Sequence, residues 1–183
     1  MIHGITLKNY KCFKKKQEIR LAPITIMYGK NGRGKSSVAQ SLLLLGQTMW
    51  RNNDIESLLL VGDYVQLGTF DEVKSIPSDG SDFYIGLDTD RESVEMSFSQ
   101  QDGKPQLAKL SGLIVNGYNR FESKGTNNPG TGENSDKIIS VTSDIIALQN
   151  LKNISFVAAG RRGPANSSDR NDALRPDWIG VNG

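Results

Sequence analysis

One cysteine and one histidine are all that 183 residues contain of those two types. A lone thiol, Cys12, excludes an internal disulfide and suits a reducing cytoplasm. A lone imidazole, His3, has no ligand company at metal-binding spacing, so it marks no metal centre. Long apolar runs are missing too. The longest, residues 42–45 and 58–61, fall far short of the ~18 residues of a membrane span, so no membrane partner is expected. The opening MIHGITLKNYKCF lacks the continuous apolar segment of a signal peptide. No internal repeat and no inter-domain linker stands out. With only 37% hydrophobic residues, 19 glycines and 6 prolines, a tight helical bundle is disfavoured and a loop-rich protein favoured, of a length for one domain or part of a larger one.

What is present is unevenly distributed. The net charge is +2, yet residues 1–35 carry nine Lys or Arg against one acid, while the remaining residues carry thirteen against nineteen. The basic section includes Lys14, Lys15 and Lys16, which read first as a solvated face and second as a surface for nucleic acid.

Hydrophobic patterning divides the chain into elements. Residues 2–7 predict a strand, 8–16 a basic turn and 17–21 a second strand. Residues 24–28 (ITIMY) are so apolar that they predict a third strand, buried on both faces. In SSVAQSLLLLGQTM, Val38, Leu42, Leu45 and Met49 recur three or four apart, which predicts an amphipathic helix over 36–49. Beyond residue 63, the segments GDYVQLGTF, DFYIGLDT, ESVEMSFSQ and QLAKLSGLIV predict an antiparallel meander, with QDGK (101–104) as a hairpin turn. Residues 124–136, KGTNNPGTGENSD, predict a flexible loop. Residues 137–151 are weakly helical, and ISFVAA (154–159) reads as a buried strand.

Between the third strand and the helix lies GKNGRGKSS. Gly29, Gly34, Lys35 and Ser36 fit the phosphate-binding pattern G-x-x-x-x-G-K-[ST], in the strand-then-helix context the pattern requires. Gly29, Gly32 and Gly34 let the backbone turn its N–H groups inward as a nest for anionic oxygens. The helix adds its positive N-terminal end, Lys35 reaches the β- and γ-phosphates, and the Ser36 hydroxyl suits the accompanying Mg²⁺. Asn31, Arg33 and Ser37 complete the nucleotide-binding set. The loop alone does not choose between ATP and GTP, although no Asn-Lys-x-Asp guanine motif is present.

ITIMYGKNGRGKSSVAQSLLLL resembles the P-loop of ABC-type ATPase heads of the SMC/RecF kind, and ITLKNYKCF resembles their opening strand and turn. That resemblance implies ATP as ligand and maps Lys11 and Phe13 beside the nucleotide. More narrowly, LLLLGQ, GDYVQLGTFDEV and FVAAGRRGP resemble bacterial AAA-annotated ATPases related to the OLD family, several of which act in antiviral defence beside a nuclease or other effector. The implied fold is α/β, a P-loop NTPase lobe with a mixed sheet and an antiparallel β-meander. The implied partners are a second ATPase head and an effector protein, with DNA as a further candidate.

A complete head of this kind also needs a Walker B strand ending in Asp-Glu and an LSxG-type signature. LLLVGD (58–63) follows the helix too closely and lacks the second acid, and the LSG of residues 110–112 runs on into a strand. Gln66 is a candidate for the glutamine that senses Mg²⁺ and γ-phosphate, with an exposed meander residue as the equal alternative. Arg161 and Arg162, after the late strand, are open between phosphate, a partner subunit and an acidic loop. The expectation is that residues 1–183 form the N-terminal lobe of a longer ATPase. Two rival readings are a non-hydrolysing ATP-locked scaffold and a DNA-repair head.

Overall fold

The computed structural model describes residues 1–76, 82–120, 142 and 144–156. Its strands are β1 (Ile2–Lys8), β2 (Gln17–Arg20), β3 (Ser57–Leu59), β4 (Phe83–Thr89), β5 (Ser93–Gln100), β6 (Leu107–Val115) and β7 (Tyr118–Asn119). Its helices are α1 (Lys35–Asn52), α2 (Phe70–Val73) and α3 (Ile146–Leu151). The strands form one sheet in the order β2-β1-β4-β5-β6-β3, with β7 extending from β6.

Alternation decides which face is buried. Ile5 and Leu7 of β1, Phe83, Ile85 and Leu87 of β4, and Val94, Met96 and Phe98 of β5 point to one side and are almost fully buried. Tyr84 and Ile114, on the other side, remain over a third exposed, as expected of an antiparallel sheet with one solvated face. β6 keeps its apolar residues inward through a bulge. Ser97 pairs with Gly112 but Phe98 with Leu110, so Ser111 is the extra residue, and both Leu110 and Leu113 reach the core. Phe83 anchors an aromatic cluster, with ring centroids 5.8 Å from Tyr10 and 5.4 Å from Phe70 and Phe98.

Helix α1 covers this face. The spacing of Val38, Leu42, Leu45 and Met49 predicted a single stripe, but every residue from 43 to 49 is buried. The helix is enclosed by the sheet, by α3 and by the turn after β3. Gln47 organises that turn from inside the core. Its amide donates to the Leu59 carbonyl at 2.6 Å, and its carbonyl accepts from the N–H groups of Tyr64 (3.2 Å) and Val65 (3.0 Å). A buried amide is stable there because its hydrogen-bonding groups are used on backbone that no strand satisfies.

Several expectations are corrected. Residues 24–28 carry no strand and are exposed, Ile24 at 83%, Ile26 at 82% and Tyr28 at 93%. A strand buried on both faces needs neighbours on both edges, and none of the described strands pairs with this run. The sheet is correspondingly antiparallel in every described pairing, not mixed. GDYVQLGTF is a turn closed by a Val61–Gln66 bridge, not a strand. LLLVGD contributes β3, which pairs antiparallel with β6 at the end of the main strand order, so it is not a Walker B strand. Residues 154–156 carry no strand; 157–159, the loop 124–136, and Arg161 and Arg162 lie outside the described residues.

Candidate functional site

Residues 9–13 make a tight turn after β1. Asn9 and Lys11 both take positive φ, 53° and 50°, and Tyr10 and Phe13 exchange backbone hydrogen bonds of 3.2 and 2.8 Å. The Tyr10 ring is fully buried, and burial pushes its hydroxyl well above the usual phenol range. This turn carries Lys11, Cys12 and Phe13 to the start of α1.

Gly34 is where the turn and the glycine loop meet. A Cβ there would stand 2.7 Å from both the Cys12 Sγ and the Phe13 Cζ, and the residue has φ +89°. Only glycine satisfies both conditions. Gly29 and Gly32 also hold positive φ, 141° and 77°. Gly34 N-caps α1 with no side-chain hydrogen bond, and no acid lies in the first turn. The first N–H groups of an 18-residue helix are thus left without a side-chain acceptor at its positive end. The Lys35 ammonium arches back over the loop and donates to the carbonyls of Gly29 (2.7 Å) and Lys30 (2.9 Å).

A cavity of about 630 Å³ opens at this point, within the usual range for a small-molecule site. Of the residues singled out in the sequence, Lys11, Asn31, Gly32, Gly34, Lys35, Ser36 and Ser37 line it. Phe13 and Gly29 do not line it: Phe13 packs against Gly34, and the Gly29 carbonyl accepts from Lys35. Arg33 is exposed and does not line the cavity. Gln66 is not brought there either. Its turn is pinned to Gln47, twelve residues along α1 from Lys35, or roughly 18 Å at the helical rise. Asp63 belongs to the same turn and does not line the cavity either.

Four lining residues were not singled out as ligand groups: Cys12, Glu72, Lys74 and Ile76. Backbone bonds place the last three. The Lys11 N–H donates to the Val73 carbonyl at 2.7 Å and the Ser75 N–H to the Asn9 carbonyl at 2.9 Å, fastening the chain after α2 to the turn. Glu72 closes a capping box, accepting from the Thr69 N–H (2.6 Å) and hydroxyl (3.1 Å). The T-x-x-E spacing was the one available signal. These bonds, from the Thr69 backbone first, hold the Glu72 carboxyl below its ordinary pKa. Desolvation lowers the Lys11 pKa below the ordinary lysine value of 10.5, partly offset by the attraction of Glu72. His3, by contrast, lies at the other end of β1, bonded to Asp90.

The donor set suits hard anionic oxygens: three lysines (Lys11, Lys35 and Lys74), hydroxyls and inward backbone N–H groups. Among the described residues no cluster of three His, Cys, Asp or Glu could cage a metal. A single hydroxyl such as Ser36 fits Mg²⁺ that arrives with most of its ligands already supplied by phosphate and water. No helix among the described residues is long and apolar enough to cross a membrane.

Comparison with known proteins identifies the family of the chain. The family described as AAA ATPase domain matches residues 1–156, and the chain belongs to that family. A search among curated proteins returned no match. Membership carries the P-loop NTPase fold and supports an ATP-binding and ATP-hydrolysing function.

Proposed function

From membership of the AAA ATPase domain family, we propose that this chain is the nucleotide-binding lobe of an ABC-type ATPase head, of the SMC/RecF/OLD kind. The observation that carries the reading is the loop 29–37: three positive-φ glycines, an α1 N-terminus without a side-chain cap, and Lys35 arched across the loop above a cavity of ligand size. Lys35 exchanges its loop carbonyls for the β- and γ-phosphate oxygens of ATP, and the N–H groups of residues 32–37 bind the same oxygens. Ser36 would hold the Mg²⁺, and the ion would supply neutralisation of the charge that develops on the transferred phosphoryl. Lys11 adds a second cation, and Phe13 supports the loop from below.

Hydrolysis in this account requires a second head, whose approach completes the site and relays closure to an effector such as a nuclease, in a cytoplasmic antiviral role. The exposed apolar run 24–28 supports a lobe that packs against further structure. Turnover should therefore climb with protein concentration.

One observation favours a second reading. Lys14 and Lys15 are exposed beside the site, in a section carrying nine cations against one acid. A DNA-binding head would use that face. Steep salt dependence of duplex binding supports it; salt-independent or undetectable binding leaves the effector-coupled head. An ATP-locked scaffold, the remaining alternative, would bind Mg-ATP with no turnover at any concentration.

A further inference from the structure

The cavity has two chemically different parts. The loop and the first turn of α1 supply N–H groups, hydroxyls and Lys35, all of them partners for phosphate. α2 and the residues after it supply Lys74 and, beside it, two groups that do not bind phosphate: a carboxylate, Glu72 of α2, and an isoleucine, Ile76, that is 78% exposed. A carboxylate facing phosphate oxygens is repelled by them. Lys11 attracts it, but toward a ligand it is favourable only where a donor faces it, and an exposed apolar side chain is favourable only toward an apolar surface.

A nucleoside offers both. We infer that Glu72 and Ile76 form the nucleoside end of the pocket, with Glu72 accepting from the neutral O–H or N–H donors of the ribose or base and Ile76 packing on the base face. This rests on the reading of the loop as a triphosphate site and adds what selects the nucleoside.

The geometry holds both residues in place for it. Both Thr69 hydrogen bonds fall on Glu72 Oε2, which leaves Oε1 as the acceptor toward the ligand. Gly68 has φ +87°, and a Cβ there would lie 2.0 Å from Glu72 Oε2, so the carboxylate occupies the space a side chain would take. The bonds from Lys11 to Val73 and from Ser75 to Asn9 tie the segment to the turn that packs on Gly34. Nucleoside end and phosphate end are thereby joined through one short stretch of backbone.

The test compares Mg-ATP with Mg-tripolyphosphate, which has the phosphates and no nucleoside, by calorimetry on the whole chain. Glu72→Gln keeps a capping-box acceptor at the same position. It should weaken ATP roughly tenfold, as a charged acceptor becomes neutral, and leave tripolyphosphate unchanged or tighter. Ile76→Ser, at an exposed position, should also weaken ATP roughly tenfold and leave tripolyphosphate unaffected. The Glu72→Gln loss should shrink on either 2′,3′-dideoxy-ATP or purine riboside triphosphate, whichever lacks the donor concerned. If Glu72→Gln tightens ATP and tripolyphosphate alike, or its effect persists undiminished on both analogues, the assignment is overturned. Wild-type protein binding tripolyphosphate as tightly as ATP overturns only the nucleoside end. Binding of neither overturns the phosphate-loop reading and this one with it.

Discussion

Cys12 and Gly34 touch across the start of α1: the space a Cβ would need at Gly34 is already filled by the Cys12 sulfur, 2.7 Å away. A residue 22 positions earlier in the chain therefore sets the shape of the phosphate loop. Gly34→Ala should lose triphosphate binding and cost about 1–3 kcal/mol of stability, from the αL strain and the displaced Phe13 and Cys12 side chains. Chemical denaturation alongside ATP titration checks it.

The same contact makes Cys12 a reporter. Its thiol is exposed and lines the cavity. Alkylation by N-ethylmaleimide should block ATP binding, and Mg-ATP should slow the labelling. Cys12→Ser should bind ATP normally and be insensitive to the reagent. Labelling at an equal rate with and without saturating nucleotide would show that the ligand lies elsewhere.

Ser36 acts through the ion. Ser36→Ala should weaken Mg-ATP binding about tenfold or more while metal-free ATP binding changes little. Titrations in Mg²⁺ and in EDTA separate the two. An equal loss in both would remove the metal-ligand role.

Lys11 gives the site a pH dependence. Its pKa in the folded chain lies below the ordinary 10.5, chiefly through desolvation. Between the lowered and the ordinary value the unfolded chain binds more protons, so this residue's contribution to stability rises with pH across that window. For ligand binding the sign is opposite. An anion favours charged Lys11, so ATP affinity should fall as pH rises toward 10, with proton uptake on binding. Lys11→Arg should flatten the profile, since guanidinium stays charged. Calorimetry in buffers of different ionisation enthalpy measures the proton directly.

The sheet face carries the stability. Phe83 is fully buried and touches three aromatic rings, so Phe83→Ala should cost about 3–5 kcal/mol. Urea unfolding would read it as a lower midpoint with the slope retained.

How much of this was legible in the sequence follows from the range of the interactions. Gly29, Gly34, Lys35 and Ser36 are close in the chain and their geometry is local, so spacing alone revealed the loop. The meander was legible because period-two alternation in residues 83–100 reflects a sheet with one buried face. Residues 24–28 misled, since an apolar run records a tendency to be covered and says nothing of whether a cover is present. Gln47 and Glu72 were opaque for a different reason. An amide in a helix and an acid in a capping box look ordinary until tertiary contacts put one beneath the 59–65 turn and the other in the cavity wall. The place of Gln66 was opaque for the same cause: its neighbour Val65 is held by Gln47, and Gln66 does not line the cavity.

The central claim is that the loop binds a nucleoside triphosphate through Lys35. Mg-ATP titrated into wild-type protein and Lys35→Ala by calorimetry tests it most directly. The account predicts clear binding by the wild type and a loss of at least about a hundredfold in the variant, with the fold unchanged by circular dichroism. Equal affinity in the two proteins would contradict it.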